Sequence, residues 1–409
     1  MEQVEGTVLG SCHCGRRLTL AATGLLALSL VLAPRETFGI PAFARATGLA
    51  CSSCHTAWPK LNRFGRAFKE NGFVVERGNP EHQLEVGDRL SIPEIPPFAV
   101  VFNSRPFDRK KRGRRKLRAL HELSLLTGAS VFKYGSIFGE IEMEDEDNFD
   151  PKLAHAWGGF HPHQAFNVIG GYAPVFAADP YNTLVDRRLT RSTPIAINAG
   201  FESGVSLRAN SQFVSAYGRE PFLNKGFYLF SFSADRGGDV EGEGDEDFTG
   251  RLAFDVTKQF TIGAFGIAGR ERRSPRTNQD FWRVGGDAQL QYGPLNVETV
   301  YIEANDDLLA NDPSGERGKD DNNFAFSSET YLVLDHELFP DLPDWFFKFV
   351  PLVRTDYFTE PGSKQKRTDL AVNLTYYVFE NAKASVEFAQ QLHGEGDEQR
   401  VTVFLEFAL

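Results

Sequence analysis

From about Phe98 to its last residue the chain alternates, and this period of two constrains its fold more than any other feature. Leu370, Val372, Leu374, Tyr376 and Val378 fall on one face of a stretch whose other face carries Asp369, Asn373 and Thr375. Val284, Ala288, Leu290 and Tyr292 oppose Asp287, Gln289 and Gln291, and Ile137, Ile141 and Met143 oppose Glu140, Glu142 and Glu144. The chain ends with Val401, Val403, Leu405, Phe407 and Leu409 on one face. Side chains alternate this way on a strand and not on a helix. The pattern predicts strands at 98–106, 119–131, 136–146, 152–160, 165–173, 204–218, 226–235, 248–257, 260–270, 281–292, 295–304, 323–335, 346–358, 368–379, 383–392 and 399–409, which is sixteen, an even number.

Alternation alone leaves two architectures open. A transmembrane barrel turns its apolar face to lipid and its charged face to a wet lumen, and a soluble sandwich does the reverse. The connections discriminate. Lys133-Tyr134-Gly135, Lys258-Gln259, Gly293-Pro294 and Glu380-Asn381-Ala382 are short, whereas 236–247, 271–280, 305–322 and 393–398 are long and polar and fall on the opposite set of connections. Short turns at one end and long loops at the other are the outer-membrane pattern. The 36 Phe suit strands and aromatic girdles at a membrane interface. We therefore expect a mainly β protein, an antiparallel transmembrane β-barrel of about 16 strands over 98–409. The long connection 174–203 is expected to fold into the lumen by analogy with porins, or else to lie on the surface.

The first 39 residues read as an export signal. Arg16 and Arg17 precede an apolar run from Leu18 to Ala33, and Thr37 and Gly39 suit cleavage before Ile40. The run is short for a membrane-spanning helix. Cys12, His13 and Cys14 fall in the part removed. With a net charge of −11, nucleic acid is an improbable partner.

Between signal and barrel, residues 40–97 carry chemistry. Cys51-Ser52-Ser53-Cys54-His55 is the attachment pattern of a c-type haem: two thiols add to the two vinyl groups, and the adjacent His55 binds the iron. A redox dithiol would sit beside a βαβ pattern, which is not visible, and a zinc site needs a second ligand pair. A plain disulfide is the remaining alternative. Leu61, Phe64, Ala67 and Phe68 recur at helical spacing and predict a short helix ending near Asn71-Gly72, with an apolar face to cover one side of a porphyrin. Arg45, Lys60, Arg63, Arg66 and Lys69 surround it as partners for haem propionates or as a solvated face. His82 is the only other His between Ile40 and Phe98 and is the first choice for the distal ligand. Met143 points to lipid, and His121, His155, His161 and His163 are candidates if the segment enters the lumen.

Pro41, Phe43, Ala44, Arg45, Gly48, Cys51, Cys54, His55, Leu61, Phe64, Gly65, Arg66, Phe68, Lys69, Gly72 and Phe73 fall where one family has the same elements. The stretch resembles the outer-membrane cytochrome–porin fusions of iron-oxidising bacteria, in which a small cytochrome segment with one c-type haem is fused to a β-barrel. The resemblance implies location in a bacterial outer membrane. It also implies electron transfer, with oxidation of extracellular Fe(II) and delivery to a periplasmic c-type cytochrome or other carrier. Two other classes are a diffusion porin with a structural or gating haem segment, and a soluble periplasmic cytochrome built on a β-sandwich.

Two charged runs complete the reading. Residues 109–118 carry eight basic residues in ten, expected as an outward loop that is either solvated or bound to lipopolysaccharide phosphates. The acidic runs Asp235–Asp247 and Asp306–Asp321 are expected as polar loops or as collectors of Fe²⁺ or Ca²⁺.

Overall fold

The computed structural model of the protein describes residues 41–86, 90–111, 113–220, 222, 225–234, 246–274, 277–307, 320–336, 338–359, 366–394 and 398–409. The expected signal over 1–39, most of 235–247 and residues 308–319 lie outside them.

Sixteen long strands account for the alternating region. They are Phe98–Lys110 (β1), Lys116–Val131 (β2), Gly135–Glu144 (β3), Lys152–His163 (β4), Phe166–Pro174 (β5), Asn210–Arg219 (β6), Gly226–Ala234 (β7) and Glu246–Asp255 (β8). They continue as Phe260–Ser274 (β9), Thr277–Tyr292 (β10), Leu295–Asp307 (β11), Asp320–Leu332 (β12), Phe349–Thr359 (β13), Lys366–Phe379 (β14), Ala382–His393 (β15) and Gln399–Ala408 (β16). Each pairs antiparallel with its sequence neighbours, and β16 pairs with β1 from Arg400 opposite Lys110 to Ala408 opposite Val101. The sheet is one closed barrel, so no strand edge is left unpaired.

The faces settle the choice between architectures. Val372, Leu374, Val386, Phe388, Val401 and Phe407 are exposed on the outside, while Asn373, Thr375, Glu387 and Thr402 on the same strands are buried inside. An apolar exterior around a charged interior is stable in lipid and not in water, because lipid offers nothing to hydrogen-bond and water penalises the apolar belt. This excludes the soluble sandwich: there is one closed sheet, not two stacked ones.

Several boundaries differ from the sequence reading. The expected loop 271–280 is mostly strand, since β9 and β10 run on to Ser274 and from Thr277. Residues 204–209 do not begin β6, because Val205 and Leu207 are buried in a cluster inside the lumen instead. The short-turn end also has one long connection, 333–348, closed by a 3₁₀ turn at Phe346–Lys348. The basic run is not a free loop: Arg109 and Lys110 end β1, Lys116 to Arg118 begin β2, and Arg118 turns onto Asp145, its Nη1 3.1 Å from Oδ1.

Two segments occupy the lumen. The connection 175–209 folds inward, with Phe176, Tyr181, Leu184, Leu189, Ala196 and Ile197 almost fully buried. It is held by the wall through its own polar groups. Arg251 Nη1 pairs with Asp287 at 2.6 Å, and the Asp287 carboxylate accepts Thr183 Oγ1–H at 2.7 Å. The Ala196 amide donates to Ser327 Oγ at 3.0 Å and the Arg191 amide to Glu387 at 2.6 Å.

The other is the N-terminal segment 41–97. It contains Pro41–Thr47 (α1), Cys51–Cys54 (α2) and Arg63–Glu70 (α3), with short strand pairs at 55–57 with 60–61 and at 83–86 with 90–93. Its contacts reach many strands. Lys60 Nζ lies 2.6 Å from Glu298 of β11 and 2.9 Å from Glu329 of β12. Glu70 pairs with Arg219 of β6 at 2.9 Å. Tyr377 Oη of β14 donates to the Trp58 carbonyl at 2.8 Å, and Phe73 stacks near Trp157 of β4. The segment therefore sits within the barrel's short-turn end, where Glu380 of the β14–β15 turn accepts the Cys51 amide at 2.7 Å.

Candidate functional site

The C-x-x-C-H motif is positioned by the chain around it. Asn62 caps α3 by accepting the Gly65 amide at 2.9 Å, and its own amide donates to the carbonyl of Ser53 at 3.0 Å. The one side chain thus ties α3 to α2. A Cβ on Gly65 would stand 2.1 Å from the Cys54 carbonyl oxygen, so only glycine lets α3 rest on the motif. That contact turns the helix. The residues of α3 that reach the motif's cavity are Gly65, Phe68 and Lys69, with Leu61 just before it. Phe64, expected on the same face, is 39% exposed instead.

Cys51, Cys54 and His55 line a cavity of about 560 Å³ bounded by the N-terminal segment, the inward connection and the wall. This is within the usual range for a bound cofactor, about 300–1,000 Å³. Phe43, Leu49, Phe68, Phe73, Phe138 and Trp157 give it apolar surfaces. Arg105, Arg187, Arg188, Arg191 and Arg208 give it a cationic side. Arg188 and Arg208 pair with Asp186, but the buried Nε of Arg191 has no partner. Burial, with the nearby guanidinium groups of Arg400 and Arg105, pulls Arg191 down to about 10. Glu122, Glu140, Glu142, Glu144 and Glu406 line it too, so the cavity is of mixed charge, and the under-satisfied Arg191 marks the part suited to a carboxylate.

Both thiols are free. Burial and the Glu380 carboxylate push Cys51 well above the usual thiol range, and burial raises Cys54. Such thiols are protonated at neutral pH, unlike the thiolates of redox dithiols. Burial lowers His55 to about 4, with the carbonyls of Lys60 and Pro59 opposing, so its ring is neutral and able to ligate. Its Nδ1 is buried without a hydrogen-bond partner. The pair of thiols, the neutral imidazole, the apolar walls and the cationic side fit a haem with its two propionates.

Among the other residues singled out, His82 is not brought to this cavity. It is exposed, lies 3.7 Å from Glu94 and borders a separate small cavity. Of the basic residues around the motif only Lys69 lines the cavity, and it donates to the Asp179 carbonyl and Asn182 Oδ1, both at 2.6 Å. Burial lowers Lys69 to about 7. Lys60 is raised: burial alone would lower it, but Glu298 and Glu329 outweigh that. Lys60 and Lys69 anchor the segment through these contacts, whereas Arg63 is exposed, as a solvated face would be. Asp306 of the acidic run pairs with Arg283 at 2.8 Å. The arginines of 187–208 were missed by sequence reading, which saw only a long connection.

No protein-family model matches the chain, and no curated protein does. Solved structures share the fold. An anion-selective porin from Comamonas acidovorans superposes with TM-score 0.56 at 10% identity, over 76% of this chain and 98% of its own. Salmonella typhi OmpF, solved in complex with daunomycin, gives 0.56 at 11% identity over 80% and 100%. A loop-deleted OmpT of Vibrio cholerae gives 0.52 at 12% identity over 76% and 98%. This chain thus has a porin-like barrel, and about a quarter of it has no counterpart in the first of these porins.

Proposed function

We propose that the protein is an outer-membrane electron carrier, with one haem covalently held by Cys51 and Cys54 in the lumen. Cys51, Cys54 and His55 would hold the haem, and its one-electron couple would link an extracellular donor such as Fe(II) to a periplasmic c-type cytochrome or other carrier. The observation that carries this reading is convergence: the two thiols and His55 line one haem-sized cavity with apolar walls and a crowd of arginines, inside a barrel. The haem supplies a one-electron couple at the iron. The chain's own residues do the rest. Cys51 and Cys54 tether, and each thiol S–H adds across one vinyl double bond with no leaving group. His55 binds the iron. Phe43, Phe68 and Phe73 exclude water, and Arg187 and Arg191 hold carboxylates.

Position supports the reading as well. An apolar band about 25 Å tall is more than one haem can bridge by stacking. With the N-terminal segment packed into the short-turn end, the cofactor would be held within the lumen and within reach of that end. If the N-terminus is periplasmic, as the short turns suggest, that end faces the periplasmic carrier.

The runner-up is a diffusion porin with a structural or gating haem segment, favoured by the porin-like barrel. Rapid mixing of protein in outer-membrane vesicles with Fe(II) separates the two. Haem bands that reduce within the mixing experiment, and their loss in the Cys51→Ser, Cys54→Ser double variant, support electron transfer. Purified protein that is colourless, or haem that stays oxidised across pH while planar bilayers carry a steady ion current, supports the porin.

A further inference from the structure

We propose that His155 is the second axial ligand of the haem iron, oriented by Glu140; this rests on the haem reading above. The chain has nine His, and eight fall among the described residues. Of these eight, only His55 and His155 line the cavity that holds Cys51 and Cys54.

The others are engaged or elsewhere. His161 has both ring nitrogens occupied, Nε2 by Ser136 Oγ at 2.6 Å and Nδ1 by Tyr217 Oη at 2.9 Å. His121 holds Asp145 at 2.6 Å in a cluster already bridged by Arg118. His163 accepts the Ala165 amide at 3.1 Å within its own turn. His82 is exposed beside Glu94, and His336 and His393 are also exposed. Neither Met143 nor any Tyr borders the cavity, and Lys69, which does, is spent on Asp179 and Asn182.

His155 has the arrangement that a ligating imidazole needs. It stands on β4 opposite Glu140 on β3, and its Nδ1 lies 3.0 Å from Glu140 Oε2. Glu140 is 7% exposed, so its carboxylate has few other uses. A carboxylate that takes the Nδ1 proton fixes the tautomer, leaves the Nε2 lone pair available and strengthens it as a donor. No residue among those described engages that Nε2. The pairing of β3 with β4 shifts register immediately after Glu140, and such irregularities re-aim side chains. Phe138, with its ring centroid 6.2 Å away, borders the imidazole.

The inference predicts two imidazoles on one iron, and therefore a lower potential than a His and Met pair would give. Full-length protein purified in detergent provides the test, with heat-modifiable migration as the check that the barrel has formed. Wild-type haem should be six-coordinate and low-spin, with the near-infrared signature of two imidazoles. His155→Ala should turn it high-spin and let carbon monoxide and added imidazole bind at least about tenfold more tightly, in line with the loss of a ligand. His155→Met should stay low-spin at a raised potential. Glu140→Gln should keep the spectrum and shift the potential upward. A low-spin spectrum unchanged in His155→Ala overturns the assignment while leaving the haem reading standing. If that variant does not fold, an unchanged signature of two imidazoles in His155→Met overturns it equally. Colourless wild-type protein removes the haem reading itself and the ligand with it.

Discussion

The barrel wall and the segment inside it are built on different physics. The wall is a continuous antiparallel ladder, in which each strand is bonded to two neighbours through the main chain and each side chain needs only the right polarity for its face. The N-terminal segment has little regular structure of its own. It is held by single side chains, Lys60 between Glu298 and Glu329, Glu70 on Arg219 and Lys69 on Asp179 and Asn182. Specificity that is spread over a continuous main-chain ladder tolerates substitution, whereas specificity carried by a few buried charges does not.

Four substitutions can break or sharpen that contrast. The largest effect is expected from Lys60→Met, which strands two buried carboxylates. Removing one partner of a buried ion pair costs about 3–5 kcal/mol, here charged to the seating of the segment and not to the barrel. Protease should then cut within 41–97 while the barrel keeps its heat-modifiable mobility. Cleavage confined to unfolded barrel would erase the distinction between the two regions. Next, Val372→Arg puts a charge on the outer face in the middle of β14. The cost is about 2–4 kcal/mol if the site lies near the bilayer midplane, read as a lower urea midpoint with no new cleavage inside the segment. An equally large loss from a polar change at the inward Asn373 would count against the assignment of faces.

The third effect depends on pH. The folded value of Lys69 is about 7, below its ordinary 10.5. The ammonium form is thus disfavoured inside, so seating is weakest below pH 7, strengthens as pH rises toward 10.5 and is level above. Lys60 does not oppose this, because its value is raised and its contribution stays intact below 10.5. Protection of 41–97 from protease should grow between pH 7 and 10, and Lys69→Met should flatten the profile. A wild-type profile already flat would contradict the burial of that amine. The smallest effect is that of Asn62→Ala, about 1 kcal/mol for a lost cap. It should loosen α3 in hydrogen exchange without releasing the segment.

The same contrast explains what was legible in the sequence. All sixteen strands could be read in order, because alternation is a local property that each strand displays by itself. Errors came where another demand overrode it, as at Val205 and Leu207, which leave the wall to fill the lumen. The convergence of Cys51, Cys54 and His55 on one cavity was foreshadowed because the three fall within five residues. The motif's surroundings were not. The Lys60 to Glu298 contact joins positions 238 apart, and nothing near either residue announces the other. His82 was favoured for its nearness in sequence, yet the structure brings His155 to the cavity in its place. The helical spacing of Leu61, Phe64, Ala67 and Phe68 marked a helix but not its buried face: Phe64 and Ala67 are exposed, and Gly65 against Cys54 decides which side of α3 meets the motif.

The Cys51 amide is bonded to a residue 329 positions later, and the Trp58 carbonyl to one 319 positions later. The segment that comes first among the described residues is therefore the last to find its place. Its docking sites on β11, β12, β14 and β15 do not exist until nearly the whole polypeptide has been delivered, and β1 cannot meet β16 before the final residues arrive. Through that interval the segment has to travel as a tethered, undocked passenger. Closure of the cylinder then seals the segment's position, which makes assembly order, and not affinity, decide when it is seated.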